Sequence, residues 1–250
     1  MNIEPNTFIC ADSIEVLREL PDGFCDLCLT DPPYGIGVSV NGRVGSGASS
    51  AKWPSGGSRD YGSQTWDLST ISANAFEEIR RVSKQQVVWG GNYYAGVLGG
   101  SNGWLVWDKG NDNPSMSDCE LAWTSTGAAV KKFDHLWAGF RQQAGLIEQR
   151  VHPTQKPVPL FIWCLLRYSK PGDLVIDPFC GSGTTALACH KAGRRFICID
   201  REPKYIEIAQ QRYKDLVAQQ DLFKDAPAEQ YGAGLVQSPN SASMQCGLEI

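Results

Sequence analysis

The sequence predicts an α/β fold with a mostly parallel sheet and helices on both faces. Short apolar runs bounded by Gly, Asn or Asp alternate with segments of helical composition. The stretch Asp173 to Asp200 reads as strand, glycine turn, helix and second strand, half of a nucleotide-binding unit. At 250 residues with 42% hydrophobic content the chain can bury one large core or two small ones.

Taken in order, Asp12-Ser13 before Ile14, Val16, Leu17 and Leu20 reads as a capped short helix stopped by Pro21-Asp22-Gly23. Phe24 to Thr30 reads as a buried strand. Gly35 to about Gly62 is rich in Gly and Ser around Lys52-Trp53-Pro54 and has no sustained period. So long a loop in a compact domain is functional or disordered. Ser69 to Val82 has helix composition, and Val87 to Trp89, Trp104 to Trp107 and Leu121 to Thr124 read as strands. Pro157 to Ser169 is an apolar helix with proline in its first turn, followed by strand Leu174 to Phe179, helix Thr184 to Ala192, strand Phe196 to Asp200 and helix Pro203 to about Val217. From Ala218 the composition turns to Gln, Ala, Ser, Gly and Pro, the signature of a mobile tail over 218–250.

No apolar run approaches the ~20 residues that span a bilayer, and Met1 to Cys10 lacks the basic-then-apolar pattern of a signal peptide. A cytoplasmic protein without a membrane partner is expected. Of the nine cysteines, Cys28, Cys164, Cys189 and Cys198 sit inside apolar runs as small hydrophobes, which suits a reducing compartment. Cys25 and Cys28 form a CxxC, but no second CxxC or histidine pair lies at zinc-ligand spacing, so no metal is expected. The net charge of −4 argues against a uniformly basic nucleic-acid binder. Positive charge is nonetheless clustered, in Arg43, Lys52 and Arg59 and again in Lys131, Lys132, Arg141, Arg150 and Lys156. These are either solvated loops or a DNA footprint.

In the glycine segment, Gly181 and Gly183 permit a tight turn close to a ligand, Thr184 starts the helix, and Asp200 stands where an acid binds ribose hydroxyls. The same spacing fits a dinucleotide. Asp177 at the strand end is poorly placed beside a pyrophosphate, but it suits the ammonium of S-adenosylmethionine. Methyl donor, dinucleotide and structural turn are all open on this segment alone, with the first favoured.

Thr30-Asp31-Pro32-Pro33-Tyr34-Gly35 leaves the earlier strand with an acid, two prolines and an aromatic. An exocyclic amine such as adenine N6 is a poor nucleophile because its lone pair is delocalised. Asp31 can accept one amine hydrogen and the Pro32 carbonyl the other, with Pro32 and Pro33 fixing the backbone and Tyr34 offering a face for stacking. Such a base must be flipped out of a duplex. The plain alternative is a strand-ending Pro-Pro turn.

Three stretches together resemble the amino-methylating DNA methyltransferases, specifically their permuted β group: Asp31-Pro32-Pro33-Tyr34, His152-Pro153-Thr154-Gln155-Lys156-Pro157, and Asp177-Pro178-Phe179-Cys180-Gly181-Ser182-Gly183-Thr184-Thr185. In that group the Asp-Pro-Pro-Tyr motif precedes the glycine motif. The resemblance implies a Rossmann-like methyltransferase domain over 1–217, holding a flexible loop at 35–65 and a DNA target-recognition region at about 102–150. Its implied cofactor is S-adenosyl-L-methionine. Asp12, His152, Lys156, Asp177, Phe179, Gly181, Ser182, Gly183, Thr184 and Asp200 are the implied cofactor residues. Asp12 is more simply a helix N-cap, and His152 a loop histidine. Charge and position assign Arg43, Lys52, Arg59, Lys131, Lys132 and Arg141 to DNA. Double-stranded DNA is the implied partner, with a homodimer and a cognate restriction endonuclease as further ones, in a nucleoid-associated protein of bacterial or phage origin. The expected reaction is N6-adenine methylation. N4-cytosine methylation is the nearest rival, and a nicotinamide-dependent oxidoreductase a distant one that leaves Asp31 to Tyr34 unexplained.

Overall fold

A computed structural model of the chain describes residues 3–35, 70–110, 117–127, 129–138, 141–142 and 155–224. It divides into two units, Met1–Lys214 and Asp215–Ile250. The first holds an eight-stranded sheet. Its strands are β1 (Thr7–Cys10), β2 (Cys25–Thr30), β3 (Ser83–Trp89), β4 (Leu105–Asp108), β5 (Cys119–Thr124), β6 (Lys131–Asp134), β9 (Leu174–Asp177) and β10 (Arg195–Asp200), while β7 (Trp137–Ala138) and β8 (Arg141–Gln142) form a separate ribbon. The helices are α1 (Ser13–Arg18), α2 (Ala73–Val82), α3 (Ala95–Leu98), α4 (Val158–Tyr168), α5 (Thr184–Ala192) and α6 (Pro203–Lys224). Of the second unit, the described residues are the α6 residues from Asp215 to Lys224.

The strand order is β1-β10-β9-β2-β3-β5-β4-β6. The first five run parallel, β5 is antiparallel to both neighbours, and β6 is parallel to β4. The crossover from β9 through α5 to β10 leads one way along the sheet, and that from β2 through α2 to β3 leads the other. The boundary between β9 and β2 is therefore a topological switch point, where the loops at the strand ends diverge and leave a crevice. The β2 strand precedes β9 by more than a hundred residues in sequence yet pairs with it, Leu27 opposite Val175 and Cys28 opposite Ile176.

Burial explains why these segments are strands. Leu27, Cys28, Leu29, Val175 and Ile176 are all fully buried, as a strand covered on both faces requires. Over one face, Val16, Leu17 and Leu20 of the α1 segment and Phe76, Ile79 and Val82 of α2 close on Cys28, Val88, Ile176 and Ile197. On truncation to Ala, a buried leucine such as Leu29 should cost about 2–5 kcal/mol. The α4 helix packs on α5. Cys28, Cys164, Cys189 and Cys198 are fully buried free thiols, the small hydrophobes expected.

The structure amends the sequence reading in several places. The helix expected from Ser69 begins at Ala73, where the Ser72 hydroxyl caps the Ala75 amide at 3.3 Å. Strand β3 begins at Ser83, directly at the end of α2, so the polar run Ser83-Lys84-Gln85-Gln86 is strand. Its parallel pairing to Cys25 to Thr30 overrides its composition. The same holds for β1 and for Lys131-Lys132-Phe133-Asp134, edge strands held by one neighbour each. The last helix continues past Val217 to Lys224.

Candidate active site

A cavity of about 260 Å³ lies in the crevice, lined from both sides of the switch point by Asp31, Pro33, Asp177, Phe179, Gly181 and Asp200 among others. The Thr30 hydroxyl at the end of β2 donates to Asp177 Oδ1 at the end of β9, at 2.7 Å. This bond ties the two motif-bearing turns together where the strands part.

On the β2 side, Asp31 is held by two donors. The Tyr34 hydroxyl donates to Oδ1 at 2.5 Å, and Lys156 Nζ lies 2.6 Å from Oδ2. Lys156 Nζ is also 3.1 Å from the Tyr34 hydroxyl. The Tyr34 ring stacks on Tyr93, centroids 4.7 Å apart and planes at 16°, so one ring face is already covered. Gly90, at φ +67°, makes this possible: a Cβ there would sit 2.0 Å from the Tyr34 ring. Behind it the buried Tyr94 hydroxyl donates to the Pro33 carbonyl. The turn after β3 is thus a platform for the turn after β2.

Lys156 carries the network outward. Its Nζ lies 3.0 Å from Glu120 Oε2, and Lys109 Nζ lies 2.6 Å from Glu120 Oε1. Asp31, Lys156, Glu120 and Lys109 therefore alternate in charge through a largely buried row. Burial alone would raise the pKa of Glu120, but the two ammonium groups outweigh it and hold the carboxyl at about 2. Burial raises Asp31, and the nearby Glu120 charge adds to that against the pull of Lys156. Burial works against the Lys156 charge, yet Asp31 and Glu120 together raise its pKa. Burial and the Asp31 charge push the Tyr34 phenol well above its usual range.

On the β9 side the motif residues brace one another. Asp177, 2% exposed, accepts from Thr30, from the Phe179 amide at 3.1 Å and from the Thr185 hydroxyl. Burial outweighs these bonds and lifts its carboxyl to about 7. Asp200 accepts the Gly181 amide at 2.9 Å and the Glu202 amide at 3.0 Å, which pins the glycine turn. Gly183, at φ +81°, lets α6 approach: a Cβ would lie 2.7 Å from that of Ala209. Arg212 donates to the Ser182 carbonyl at 2.6 Å and its hydroxyl at 3.1 Å, and the Thr184 hydroxyl donates to the Lys156 carbonyl at 3.2 Å. Asp12 caps α1, accepting the Ile14 and Glu15 amides at 2.9 and 3.2 Å, while it also lines the cavity.

The crevice therefore brings together Asp12, Asp31, Pro33, Lys156, Asp177, Phe179, Gly181, Ser182, Thr184 and Asp200. Pro32 is buried. Lys156, implied as a cofactor contact, lines the cavity and has its ammonium on Asp31. Lys131 is exposed on β6, and Lys132 is paired with Asp108 at 3.0 Å and Asp134 at 2.7 Å, so its charge is locally balanced. Arg43, Lys52, Arg59, Arg150 and His152 lie outside the described residues, as does the Arg141 side chain. The sequence marks the polar turn Asp108 to Pro114, which holds Lys109, as either a connector between strands or a contact to the flipped base, but it does not mark Glu120, Gly90, Tyr93 or Tyr94 as site residues. Trp89-Gly90-Gly91, a glycine pair closing an apolar run, was the one available signal.

The lining chemistry fits a cationic nucleoside ligand. Among the described residues, Asp12, Asp31, Asp177, Asp200 and Glu202 line it with Lys156 and Arg201, and Lys156 is already shared between carboxylates. Such a lining is a poor seat for a pyrophosphate, which counts against the nicotinamide reading. It suits a sulfonium and an ammonium, with Asp200 and Asp12 available to an adenosine and Phe179 to the methionine chain.

Residues 104–211 match the family model described as DNA methylase, of the N6/N4 methyltransferases. The chain is 26% identical to Type II methyltransferase M.HinfI of Haemophilus influenzae, over 84% of this chain and 69% of that protein. To Type II methyltransferase M2.DpnII of Streptococcus pneumoniae it is 42% identical over 102 residues, 41% of this chain and 32% of that one. The fold matches the crystal structure of the M1.HpyAVI-SAM complex with a TM-score of 0.53 at 22% identity, over 82% of this chain and 98% of that one. By the family match over residues 104–211 and these relatives, the chain is similar to the N6/N4 DNA amino-methyltransferases.

Proposed function

We propose that the chain methylates the exocyclic N6 amine of an adenine flipped out of double-stranded DNA, as a member of the permuted β group. The observation that carries this is Asp31, fixed by Tyr34 and Lys156 in the crevice, one strand from Asp177. Bound S-adenosylmethionine supplies a methyl group activated on a sulfonium. Asp177, Phe179, Gly181 and Asp200 hold it on one side of the switch point, with Asp12 at the adenosine end.

On the other side Asp31 accepts one amine hydrogen and the Pro32 carbonyl the second. This draws the nitrogen toward tetrahedral geometry and turns its lone pair to the methyl. Asp31 retains lone pairs for the amine beside its bonds to Tyr34 and Lys156. The base stacks on the Tyr34 face opposite Tyr93. Methylation makes the amine acidic, and Asp31, its pKa raised by burial, takes up the proton. Positioning and fixed dipoles carry most of the rate.

DNA contacts are assigned to Arg43, Lys52 and Arg59 in the 35–65 loop and to Lys131 and Arg141 in the 102–150 region, with Lys132 a weaker one because of its acidic partners. Tyr34 and Thr70 form an isolated bridge, so the loop's two ends meet beside the cavity. To test the reading, unmethylated duplex DNA is incubated with the protein and S-adenosylmethionine and hydrolysed, and its nucleosides are identified by mass spectrometry. N6-methyl-2′-deoxyadenosine is the expected product. N4-methyl-2′-deoxycytidine would overturn the adenine assignment and keep the chemistry.

A further inference from the structure

We propose that Glu120 is a positioning residue for the transfer: backed by Lys109, it shares the Lys156 ammonium with Asp31 and so sets the placement and charge state of the catalytic carboxylate. This deepens the proposed function and rests on it.

The fold explains how Glu120 arrives there. The β5 strand runs antiparallel to β4, with Trp107 opposite Glu120 and Asp108 opposite Cys119, so it starts at the end of the sheet where β2, β3 and β4 finish. Lys109 follows directly from β4. Three stretches far apart in sequence, one of them the return from β4 to β5 that carries both Lys109 and Glu120, thus place Asp31, Lys156, Glu120 and Lys109 in one row, at 2.6, 3.0 and 2.6 Å. Their side chains are 16, 6, 23 and 17% exposed, too little for water to screen them fully.

A buried ammonium needs compensation, and here it has two carboxylates. If Glu120 were neutral, Lys156 would give its whole attraction to Asp31 and tighten on it. If Lys109 were neutral, Glu120 would draw Lys156 away. The groups that face Asp31 are Lys156 and Tyr34, with Glu120 beyond the lysine and Asp177 across the crevice. Those that face Glu120 are Lys156 and Lys109. Removing the Glu120 charge therefore lowers the proton affinity of Asp31, and removing the Lys109 charge raises it. General loosening of the fold does not produce opposite shifts.

The test uses the full chain with ¹³C-labelled aspartate carboxyls. The Asp31 signal is assigned by its loss in Asp31→Asn and titrated by NMR in the wild type, Glu120→Gln and Lys109→Met, without cofactor or DNA. We expect the Asp31 midpoint to fall in Glu120→Gln and to rise in Lys109→Met. In methylation assays Glu120→Gln should lose at least about tenfold in kcat, with KM for S-adenosylmethionine within about twofold, and the acid limb of its kcat profile should move to lower pH. Midpoints and acid limbs that coincide with the wild type in both variants would overturn the proposal. Because the titration needs no turnover, a protein that methylates nothing would refute the proposed reaction while the role of Glu120 is still decided.

Discussion

The two sides of the crevice are built differently. On the β9 side, carboxylates hold backbone: Asp200 takes the amides of Gly181 and Glu202, and Asp177 that of Phe179, all within a single strand-turn-helix-strand unit. On the β2 side, side chains hold side chains, and Asp31, Lys156, Glu120 and Lys109 come from three stretches far apart in sequence. A cofactor site assembled from local backbone should tolerate changes in the acceptor site, whereas the acceptor site depends on the whole sheet being in register. The Thr30 to Asp177 bond and the Thr184 to Lys156 bond are the described links between the two.

Changes on one side should therefore leave the other standing. The largest effect is expected for Gly183→Ala. The added Cβ meets Ala209 at 2.7 Å from a left-handed backbone, so the turn must shift. Calorimetry should find cofactor binding lost, with a stability loss of about 1–3 kcal/mol. Gly90→Ala is the counterpart on the acceptor side, driving a Cβ to 2.0 Å from the Tyr34 ring. It should lower methylation by about 100-fold while cofactor affinity stays within about twofold. Equal loss of both functions in Gly90→Ala would break the comparison.

Asp177 gives a pH test of the cofactor side alone. Burial lifts its folded pKa to about 7, above the ordinary carboxylate value of 3.8. The folded state thus favours the neutral acid, and the stability this brings is present in full below about pH 4 and lost as pH rises through 7. The apoprotein should lose on the order of a few kcal/mol across that window relative to Asp177→Asn, read as a wild-type melting temperature that falls with rising pH against that of the variant. A cationic ligand favours the ionised acid, so wild-type affinity for S-adenosylmethionine should weaken by up to about tenfold per unit below pH 7. The smallest effect is expected for Lys132→Ala. Its exposed pairs with Asp108 and Asp134 are screened by water, so neither the melting temperature nor cofactor binding should change measurably.

This contrast also explains what was legible in the sequence. The glycine turn could be read because Asp177, Gly181, Gly183 and Asp200 act on each other over one continuous stretch. Asp31 to Tyr34 was legible as a chemical group, but its supports were not. Gly90, Tyr93 and Tyr94 reach it by parallel pairing of β2 and β3, and Glu120 by the antiparallel return of β5, relations that no local pattern encodes. Lys156 shows the difference in one residue: its motif was visible, but its bond to Asp31, 125 residues away in sequence, was not. The strands β1 and β6 escaped notice for a related reason, since four residues held by one neighbour carry little periodicity of their own.

The central claim is that Asp31 acts on the acceptor amine and not on the cofactor. The most direct measurement pairs calorimetric binding of S-adenosylmethionine with mass spectrometry of DNA nucleosides for wild type and Asp31→Asn. The variant should bind the cofactor within about twofold of wild type and lose methylation by at least about 100-fold. Methylation at the wild-type rate, or loss of cofactor binding in step with activity, would contradict it.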